Sequence, residues 1–330
     1  MTTKLSLQSF STHTYYQVEI KSETSVTIST DSNQVSFNIL REANLFSIVD
    51  LKYISDEFTL IAIESVFSLF PEKIFKVSLD KHLFKIRNDL NEFIYESNIT
   101  IPRASFSTLS NIWAKSNPHQ EEIITTEGVN HPKRPTCSTG ELLYKKYFPT
   151  INKNISFRVI DIDKDLENFH KWHNKEFIYN FWELNKPKDE LKKYLEEALQ
   201  DAHSTPTILE FNNEPIGYFE FYWAKEDRLG PYFNFSDHDR GFHFLIGEVN
   251  CLGQQNVDAI LSATSHYAFL NDTRTKLLAG EPRSDNKRII RYVDHLKCWR
   301  NEKEFDFPHK RAALLLCDRE LYFKEGYPWI

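Results

Sequence analysis

Short runs in which apolar and polar residues alternate fill much of the first hundred positions, and two longer stretches have helical spacing. The alternating runs, such as Gln17–Lys21, Ser25–Ser29 and Val35–Leu40, predict strands. The longer stretches predict helices at Asp56–Leu69 and Lys81–Tyr95. None of these segments carries a motif with recognisable chemistry. We therefore expect an N-terminal α+β domain over residues 1–114 that has no catalytic motif of its own.

The chain changes character between residues 115 and 150. This stretch is polar and is interrupted by four prolines, Pro118, Pro132, Pro135 and Pro149, which disfavour continuous helices and strands. We interpret residues 115–150 as a linker or an arm that crosses a surface, with a domain boundary near residue 150.

From residue 151 to residue 330 the pattern predicts a second domain, in which strands and helices follow each other in a defined order. The predicted elements are strand Ser156–Asp161, helices Leu166–Asn174 and Lys188–Ala202, strands Pro206–Phe211, Pro215–Trp223 and Phe242–Glu248, helix Val257–Leu270, strand Lys276–Glu281, helix Asn286–Leu296, and strands Glu304–Phe307 and Ala312–Cys317.

Glycine is scarce, and its distribution limits the phosphate sites that the chain can form. Only 9 of the 330 residues are glycine, none occurs before Gly128, and neither G-x-G-x-x-G nor a Walker loop is present. The segment Phe242–Leu261 nevertheless runs from a strand through a loop with Gly253 into a helix, whose first N–H groups suit an anion. Between Arg274 and Arg311 there are 11 Lys or Arg against 6 Asp or Glu, which would attract a polyphosphate. An ordinary loop beside a solvated basic face is the alternative.

Composition excludes several classes of protein. The net charge of −7 and the absence of a basic tail argue against nucleic acid or a membrane surface as the main partner. No apolar run has the roughly 20 residues needed to cross a bilayer, and the first residues lack a signal-peptide pattern. The four cysteines have no metal spacing, and no Cys or second carboxylate completes a site around His170 and His173 or around His238 and His243. We therefore expect a cytoplasmic protein with reduced thiols and no metal.

Eight segments of the chain carry a family resemblance. They are HPKRP (His131–Pro135), GELLYKKY (Gly140–Tyr147), FWEL (Phe181–Leu184), YWAKEDRLGPY (Tyr222–Tyr232), DHDRGFHFLIGE (Asp237–Glu248), HYAFLNDTRT (His266–Thr275), AGEPRSDN (Ala279–Asn286) and EFDFPHKRAALL (Glu304–Leu315). In this order they resemble the siderophore-biosynthetic acetyltransferases, the aerobactin-type N6-hydroxylysine acetyltransferase group of the GCN5-related N-acetyltransferase (GNAT) fold. The resemblance covers about residues 130–330.

This resemblance implies an α/β (α+β) fold in which a mixed central sheet splays open in the C-terminal half. The N-terminal α+β domain is then a candidate degenerate GNAT-like half. The implied reaction moves an acetyl or related acyl group from acyl-CoA, by direct attack, to the hydroxylamine of an N-hydroxylated lysine or diamine, giving a hydroxamate that binds Fe(III). Other enzymes of siderophore assembly are candidate partners. Two alternatives stay open: a GNAT enzyme for another small-molecule or protein amine, and a non-catalytic acyl-CoA-binding subunit.

The resemblance also implies a site for the cosubstrate acetyl-CoA. Main-chain groups of the strand at Leu245, Ile246 and Gly247 would pair with the pantetheine arm, and the following loop and helix start would hold the pyrophosphate. The usual loop, Q/R-x-x-G-x-G/A, is altered here, because Leu252, Gln255 and Val257 replace its basic residue and glycines. The remaining residues expected to bind the cosubstrate are Leu252, Gly253, Gln254, Gln255, Asn256, Asn286 and Ile289.

For catalysis, the resemblance indicates His243 as the general base, since imidazole titrates near neutral pH, with a core histidine as the alternative. Asp285 is expected to orient His243 or hold substrate, or else to cap the next helix. Tyr292 is expected to protonate the leaving thiolate, or else to be a packed aromatic. If the acceptor is an amino acid, Arg283 would clamp its carboxylate and Glu281 would take its ammonium; with a hydroxylated diamine the carboxylate is missing and an acid would matter more. The residues expected around the acceptor are Trp182, Trp223, Asp239, Arg240, Glu281 and Arg283.

Overall fold

The computed structural model describes residues 3–10, 12–70, 76–83, 94–95, 98–109, 112–118 and 122–326. Within them, two mixed eight-stranded sheets follow each other along the chain, and a two-stranded hairpin lies between them in sequence. Alternating apolar residues direct one face of each strand into the core, as the buried positions of Gln34–Glu42 show. A continuous apolar core extends from the first sheet to the second.

The first half contains strands β1 (Thr3–Gln8), β2 (Tyr15–Ser22), β3 (Ser25–Ser29), β4 (Gln34–Glu42), β5 (Leu45–Val49), β6 (Lys76–Asp80), β7 (Ile94–Tyr95) and β8 (Asn98–Pro102), with helices α1 (Asp56–Leu69) and α2 (Arg103–Phe106). Strands β1 to β5 form an antiparallel meander, and α1 leads to β6, which is parallel to β5. Helix α1 begins where the Ser55 hydroxyl accepts the N–H of Phe58.

The hairpin consists of β9 (Ile123–Thr126) and β10 (Val129–Pro132), and the second half follows it. Its elements are β11 (Leu142–Phe148), β12 (Lys153–Val159), α3 (Ile162–His173), α4 (Glu176–Trp182), α5 (Lys188–Gln200), β13 (Ser204–Phe211), β14 (Glu214–Trp223), β15 (Arg240–Ile246), α6 (Gln254–Asn271), β16 (Leu277–Gly280), α7 (Lys287–Asp294), β17 (Trp299–Asp306), β18 (Arg311–Asp318) and α8 (Arg319–Leu321). No described helix has both the length and the apolar composition to cross a membrane.

The two sheets have the same topology. In each sheet the first five strands form an antiparallel meander, and a helix then leads to a sixth strand that is parallel to the fifth. The eighth strand in chain order lies between the sixth and the seventh. Only the second half has helices between its second and third strands, namely α3, α4 and α5. The predicted fold class is confirmed: the second half is a GNAT-type mixed sheet, and the first is an α+β region that repeats its strand order.

Two predicted segments differ from the structure, and one helix was not predicted. Strand β11 lies inside the predicted linker, so the second sheet begins at Leu142 rather than after residue 150; Pro135 and Pro149 flank this strand instead of interrupting it. Of the predicted helix Lys81–Tyr95, residues 81–83 form a 3-10 turn, β7 is a strand, and residues 84–93 lie outside the described part of the chain. Helix α4 was not predicted.

Buried polar contacts join the two halves. The Lys146 ammonium on β11 lies 2.5 Å from the Glu64 carboxylate on α1, and both side chains are buried. On α6, the two ring nitrogens of His266 contact the carbonyl of Ser107 at 2.9 Å and the hydroxyl of Tyr144 at 3.0 Å. Burial holds the pKa of His266 well below its usual value, so this contact is made by a neutral ring. The first half therefore helps to fix helix α6.

Candidate active site

Strands β15 and β16 separate after a short stretch of parallel pairing. Arg240 pairs with Leu278 and Gly241 pairs with Ala279, and the ladder ends there. The side of Phe242–Ile246 that faces β16 is therefore open. This is the splayed sheet that the family resemblance implied.

The direction of the main-chain groups in the gap follows from the pairing of β15 with β14. The N–H of Gly247 binds the carbonyl of Ile216 at 2.7 Å, and bonded positions alternate along an antiparallel pair. The main-chain groups of Phe244 and Ile246 consequently point into the gap, whereas those of Leu245 face β14. Of the three strand positions expected to pair with pantetheine, only Ile246 has main-chain groups that point into the gap. Those of Leu245 and Gly247 face β14. Phe244, which also points into the gap, was not among the expected residues.

The loop after β15 ends in a glycine that the backbone requires. Gly253 has φ +129°, and a Cβ added there would meet no atom within 4 Å, so the space above it is open. Helix α6 starts at the next residue, and the carbonyl of Gly253 accepts the N–H of Val257. The N–H groups of Gln254, Gln255 and Asn256 therefore have no partner within the helix. An anion bound at this helix start stays a prediction.

The α7 residues expected to bind the cosubstrate or act in catalysis also have structural roles. The Asn286 side chain caps α7 by accepting the N–H of Ile289 at 3.4 Å. Ile289 and Tyr292 are partly buried against the main core. Their positions neither exclude nor require the roles that the resemblance implied.

A histidine held between two carboxylates lies on β15 beside the open gap. His243 Nδ1 is 3.1 Å from Glu220 Oε2, directly across the β14 pairing, and Nε2 is 2.6 Å from Glu281 Oε1, just after β16. Burial alone would lower the pKa of His243, but the two carboxylates raise it to about 10. His243 itself lowers the pKa of both carboxyls, against the opposing effect of their burial.

Three tyrosines complete the hydrogen bonding of the two carboxylates. Tyr222 donates to Glu281 Oε2 at 2.6 Å, and Tyr218 and Tyr194 both donate to Glu220 Oε1. Burial raises the pKa of each tyrosine, and the nearby carboxylates raise it further, so all three remain hydroxyl donors. The carboxylate, imidazole and hydroxyl groups form one connected network.

This network changes the role expected of His243. With a pKa of about 10 the ring is an imidazolium at neutral pH, so it has no free lone pair with which to accept a proton. The expectation of a neutral histidine base does not fit this state. Glu281 was expected to bind an acceptor ammonium, but its side chain is fully buried against His243 and Tyr222.

Aromatic and cationic groups form the rim of the cluster, which we define as Trp182, Arg228, Phe307 and Lys310. The Trp182 ring at the end of α4 stands edge-on to the His243 ring, with centroids 6.3 Å apart. Arg228 Nη2 is 3.4 Å from both His243 Nε2 and Glu281 Oε1. Trp182 is thus the aromatic residue that was expected near the acceptor and is found at the cluster.

Three other residues expected around the acceptor are buried and bound by the protein. The Trp223 ring has the guanidinium groups of Arg134 and Arg240 each 4.1 Å from its centroid, so the ring lies between them. Arg240 also donates to the side chain of Asn271. Asp239 accepts main-chain N–H groups that begin β16. Their burial corrects the expectation that they contact the acceptor.

Asp285 and Arg283 pair with each other rather than with His243. The Arg283 guanidinium donates to the Asp285 carboxylate at 2.7 and 3.1 Å; the Arg283 side chain is half-buried and that of Asp285 is exposed. The carboxylates that orient His243 are Glu220 and Glu281 instead. Asp285 is therefore not the partner of His243 that we expected.

Sequence reasoning missed Glu220 and its neighbouring tyrosines, although a signal was present. In β14 the side chains of Tyr218, Glu220 and Tyr222 share one face because they alternate along the strand. A glutamate inside an otherwise apolar strand requires a buried partner, and register places His243 opposite it. In the described residues, no group of three His, Cys, Asp or Glu side chains is arranged to hold a metal ion.

Comparisons with known proteins agree with the fold. The matching family model is described as an acetyltransferase (GNAT) domain and covers residues 161–307. A Schizosaccharomyces pombe protein named as a lysine N-acyltransferase is 31% identical over 322 residues, which are 93% of this chain and 95% of that protein. The N(6)-hydroxylysine O-acetyltransferase of Escherichia coli is 39% identical over 229 residues, which are 68% of this chain and 72% of that enzyme.

One solved structure, of an uncharacterized protein from Bacillus halodurans, matches 58% of this chain and 97% of its own, with TM-score 0.54 and 32% identity. The chain belongs to the GNAT acyltransferase family that includes the siderophore hydroxylamine N-acyltransferases. Enzymes of this family take the acyl group from an acyl-CoA cosubstrate.

Proposed function

We propose that this protein transfers an acetyl or related acyl group from acyl-CoA to the nitrogen of an N-hydroxylated amine, forming a hydroxamate. The observation that carries the proposal is the His243 side chain held between two carboxylates where β15 and β16 separate. The Escherichia coli relative is named for action on N6-hydroxylysine, which supports a hydroxylamine acceptor here.

The gap and the start of α6 would hold the acyl-CoA. Main-chain groups of Phe244 and Ile246 would pair with the pantetheine arm, and one N–H would donate to the thioester oxygen as negative charge develops there. The free N–H groups after Gly253 would bind the pyrophosphate. Asn286 and Ile289 remain candidates for contacts with the pantetheine.

In the reaction, the hydroxylamine nitrogen bonds to the thioester carbon, the carbon–sulfur bond breaks, and CoA leaves as a thiolate. A hydroxylamine is mostly neutral at pH 7, so no strong base is needed before attack. The attacking nitrogen becomes positively charged and its proton becomes acidic, so the proton can leave to the solvent at the open gap without contact with the buried Glu281 carboxylate. The thiolate takes a proton, for which Tyr292 is the candidate donor.

We assign His243 a role in positioning and charge balance. As an imidazolium it donates to both carboxylates, which fixes the ring beside the gap and balances the two buried negative charges. His243→Gln keeps one donor but loses the charge. We expect turnover to fall at least about 100-fold, since charge-assisted positioning is lost. CoA binding by calorimetry should change less than about threefold, because the gap is intact. Unchanged turnover would remove His243 from the mechanism.

The site of acylation on the acceptor is tested by the product. N-acyl and O-acyl products have the same mass, but only the N-acyl hydroxamate gives a coloured Fe(III) complex. The assay supplies acetyl-CoA or succinyl-CoA with hydroxylated lysine, ornithine, putrescine or cadaverine, and with the plain amines. It measures free thiol, product mass and ferric colour. Thiol release without ferric colour would indicate O-acylation or another acceptor. CoA binding without turnover of any acceptor would indicate a non-catalytic subunit.

A further inference from the structure

We propose that Arg288 and Arg291 on α7 bind the 3′-phosphate of the acyl-CoA donor, so that the protein distinguishes CoA from its 3′-dephospho form. This inference rests on the proposed function, in which the pyrophosphate of the donor lies at the start of α6. Two features carry it: a contact between the end of α7 and the start of α6, and two guanidinium groups on α7 that the protein leaves unpaired.

The end of α7 lies against the first turn of α6. His295, the residue that follows α7, has its Nε2 3.1 Å from Asp258 Oδ1 and 2.9 Å from Gln254 Nε2. The Gln254 side chain is turned along its own helix, where its amide donates to both oxygens of Asp258 at 3.0 and 3.1 Å. These contacts engage the Asp258 carboxylate and place the last turn of α7 beside the N–H groups expected to bind the pyrophosphate.

Two cations of α7 have guanidinium groups that no side chain in the described part of the chain engages. They are Arg288 and Arg291, both exposed, and neither forms a hydrogen bond or an ion pair through its side chain. Neighbouring cations are already bound: Lys287 donates to a main-chain carbonyl at 2.7 Å, and Arg283 is held by Asp285. All the donors of the two guanidinium groups are therefore available to an anion.

Helical spacing brings these two arginines to the side of α7 that meets α6. Side chains three or four residues apart share one face of a helix, so Arg288 and Arg291 lie together, and Arg291 is one turn before His295. The Arg291 carbonyl is 3.2 Å from His295 Nδ1. The opposite face of α7, with Ile290 and Val293, is buried. Both guanidinium groups thus project into solvent on the same face as the residue that contacts the start of α6.

The 3′-phosphate of CoA has the chemistry that these groups require. A phosphomonoester carries close to two negative charges at neutral pH, and a guanidinium can donate two parallel hydrogen bonds to it. In CoA the ribose that bears this phosphate is joined directly to the pyrophosphate. A pyrophosphate at the start of α6 therefore brings the ribose to the adjoining last turn of α7. The loop before α6 has Leu252 where the usual loop has a polar or basic residue, so the two arginines supply positive charge that the loop lacks.

The test measures the Kd of CoA and of 3′-dephospho-CoA by calorimetry, since these ligands differ only in the 3′-phosphate. We expect the natural protein to bind CoA at least about tenfold more tightly. Arg288→Gln and Arg291→Gln should each weaken CoA binding about three- to tenfold, and the double variant about 10- to 100-fold. The Kd of 3′-dephospho-CoA should change less than about twofold in every variant, so the double variant should bind the two ligands almost equally.

Arg300→Gln is the matched control. It alters another exposed guanidinium of the basic segment, one that is paired with Glu302 at 2.9 Å, and it should leave both Kd values unchanged. The double variant Arg288→Lys, Arg291→Lys keeps both charges and should retain part of the preference for CoA. Melting temperature identifies a glutamine variant that fails to fold, and the single lysine variants then serve as the test, with a smaller loss of preference expected.

Three results would overturn the inference: equal affinity of the natural protein for the two ligands, a double glutamine variant that keeps the full preference for CoA, and one that weakens both ligands equally. Equal weakening would show that the arginines act on the pyrophosphate or on α6 itself. Failure of the proposed function is distinct, because the natural protein would then bind neither ligand, or would bind CoA and form no hydroxamate.

Discussion

Replacing Glu281 by glutamine tests the charge state of His243 directly. The carboxylate oxygen and the imidazole nitrogen are 2.6 Å apart, and both groups are largely removed from solvent. Two unit charges whose centres are about 4 Å apart interact by about 4 kcal/mol at an effective dielectric constant near 20, which corresponds to about three pKa units. We therefore expect Glu281→Gln to lower the pKa of His243 from about 10 to about 7.

The assay is an NMR titration of ring-labelled histidine between pH 5 and pH 11. The chain has 12 histidines, and the signal of His243 is the one absent from His243→Gln. Glu220→Gln is the matched comparison and should lower the pKa less, because its contact is longer, at 3.1 Å. A His243 signal that titrates near 6.5 in the natural protein, or that does not move in Glu281→Gln, would refute the reasoning.

The same shift has a consequence for stability. A histidine whose pKa is raised on folding stabilises the native state fully below its unfolded pKa of about 6.5, and this stabilisation is lost as the pH rises through the folded pKa. The His243 contribution should therefore decline between about pH 6.5 and pH 10 in the natural protein. In Glu281→Gln this decline should be largely absent from urea denaturation measured across that range.

Two further predictions concern the framework of the site. Gly247→Ala should destabilise the fold by about 1–3 kcal/mol in urea denaturation, because the added Cβ would lie 2.2 Å from the Trp172 ring. Gly280→Ala is the control and should be nearly neutral, because its added Cβ would have no atom within 4 Å. Equal destabilisation by the two substitutions would contradict the prediction. Arg134→Met should cost about 3–5 kcal/mol, because it leaves the buried Glu226 carboxylate without its bidentate partner. A variant as stable as the natural protein would show that this pair is replaceable.

Periodicity located most elements of the second half because their apolar faces are regular. The predicted helix Asp56–Leu69 in the first half has the same ends in the structure, and the strands around β14 and β15 differ by a few residues. Helix α4 was missed because it is short and its exposed face carries Phe177 and Phe181, which obscure the polar side that a surface helix usually shows.

The site was harder to predict, because its chemistry depends on pairs that are distant in sequence. The position of His243 followed from its strand, but its charge is set by Glu220 and Glu281, 23 and 38 residues away. Asp285 was expected to orient His243 because it follows the predicted strand Lys276–Glu281, whereas Glu281 was assigned to the acceptor ammonium. Only the register of β14 with β15 and the end of β16 show which carboxylates reach the ring.

Strand β18 follows β17 in the chain but lies between β16 and β17 in the sheet. The segment around Glu281 depends on it, since the N–H of Ala313 binds the carbonyl of Pro282 at 2.9 Å. On a ribosome, where the earlier part of a chain emerges and folds first, β16 has no outer neighbour until residues 311–318 have been made. The nascent protein can thus hold His243 and Glu220 in register while Glu281 is still unplaced, and the active centre is completed only near the end of synthesis.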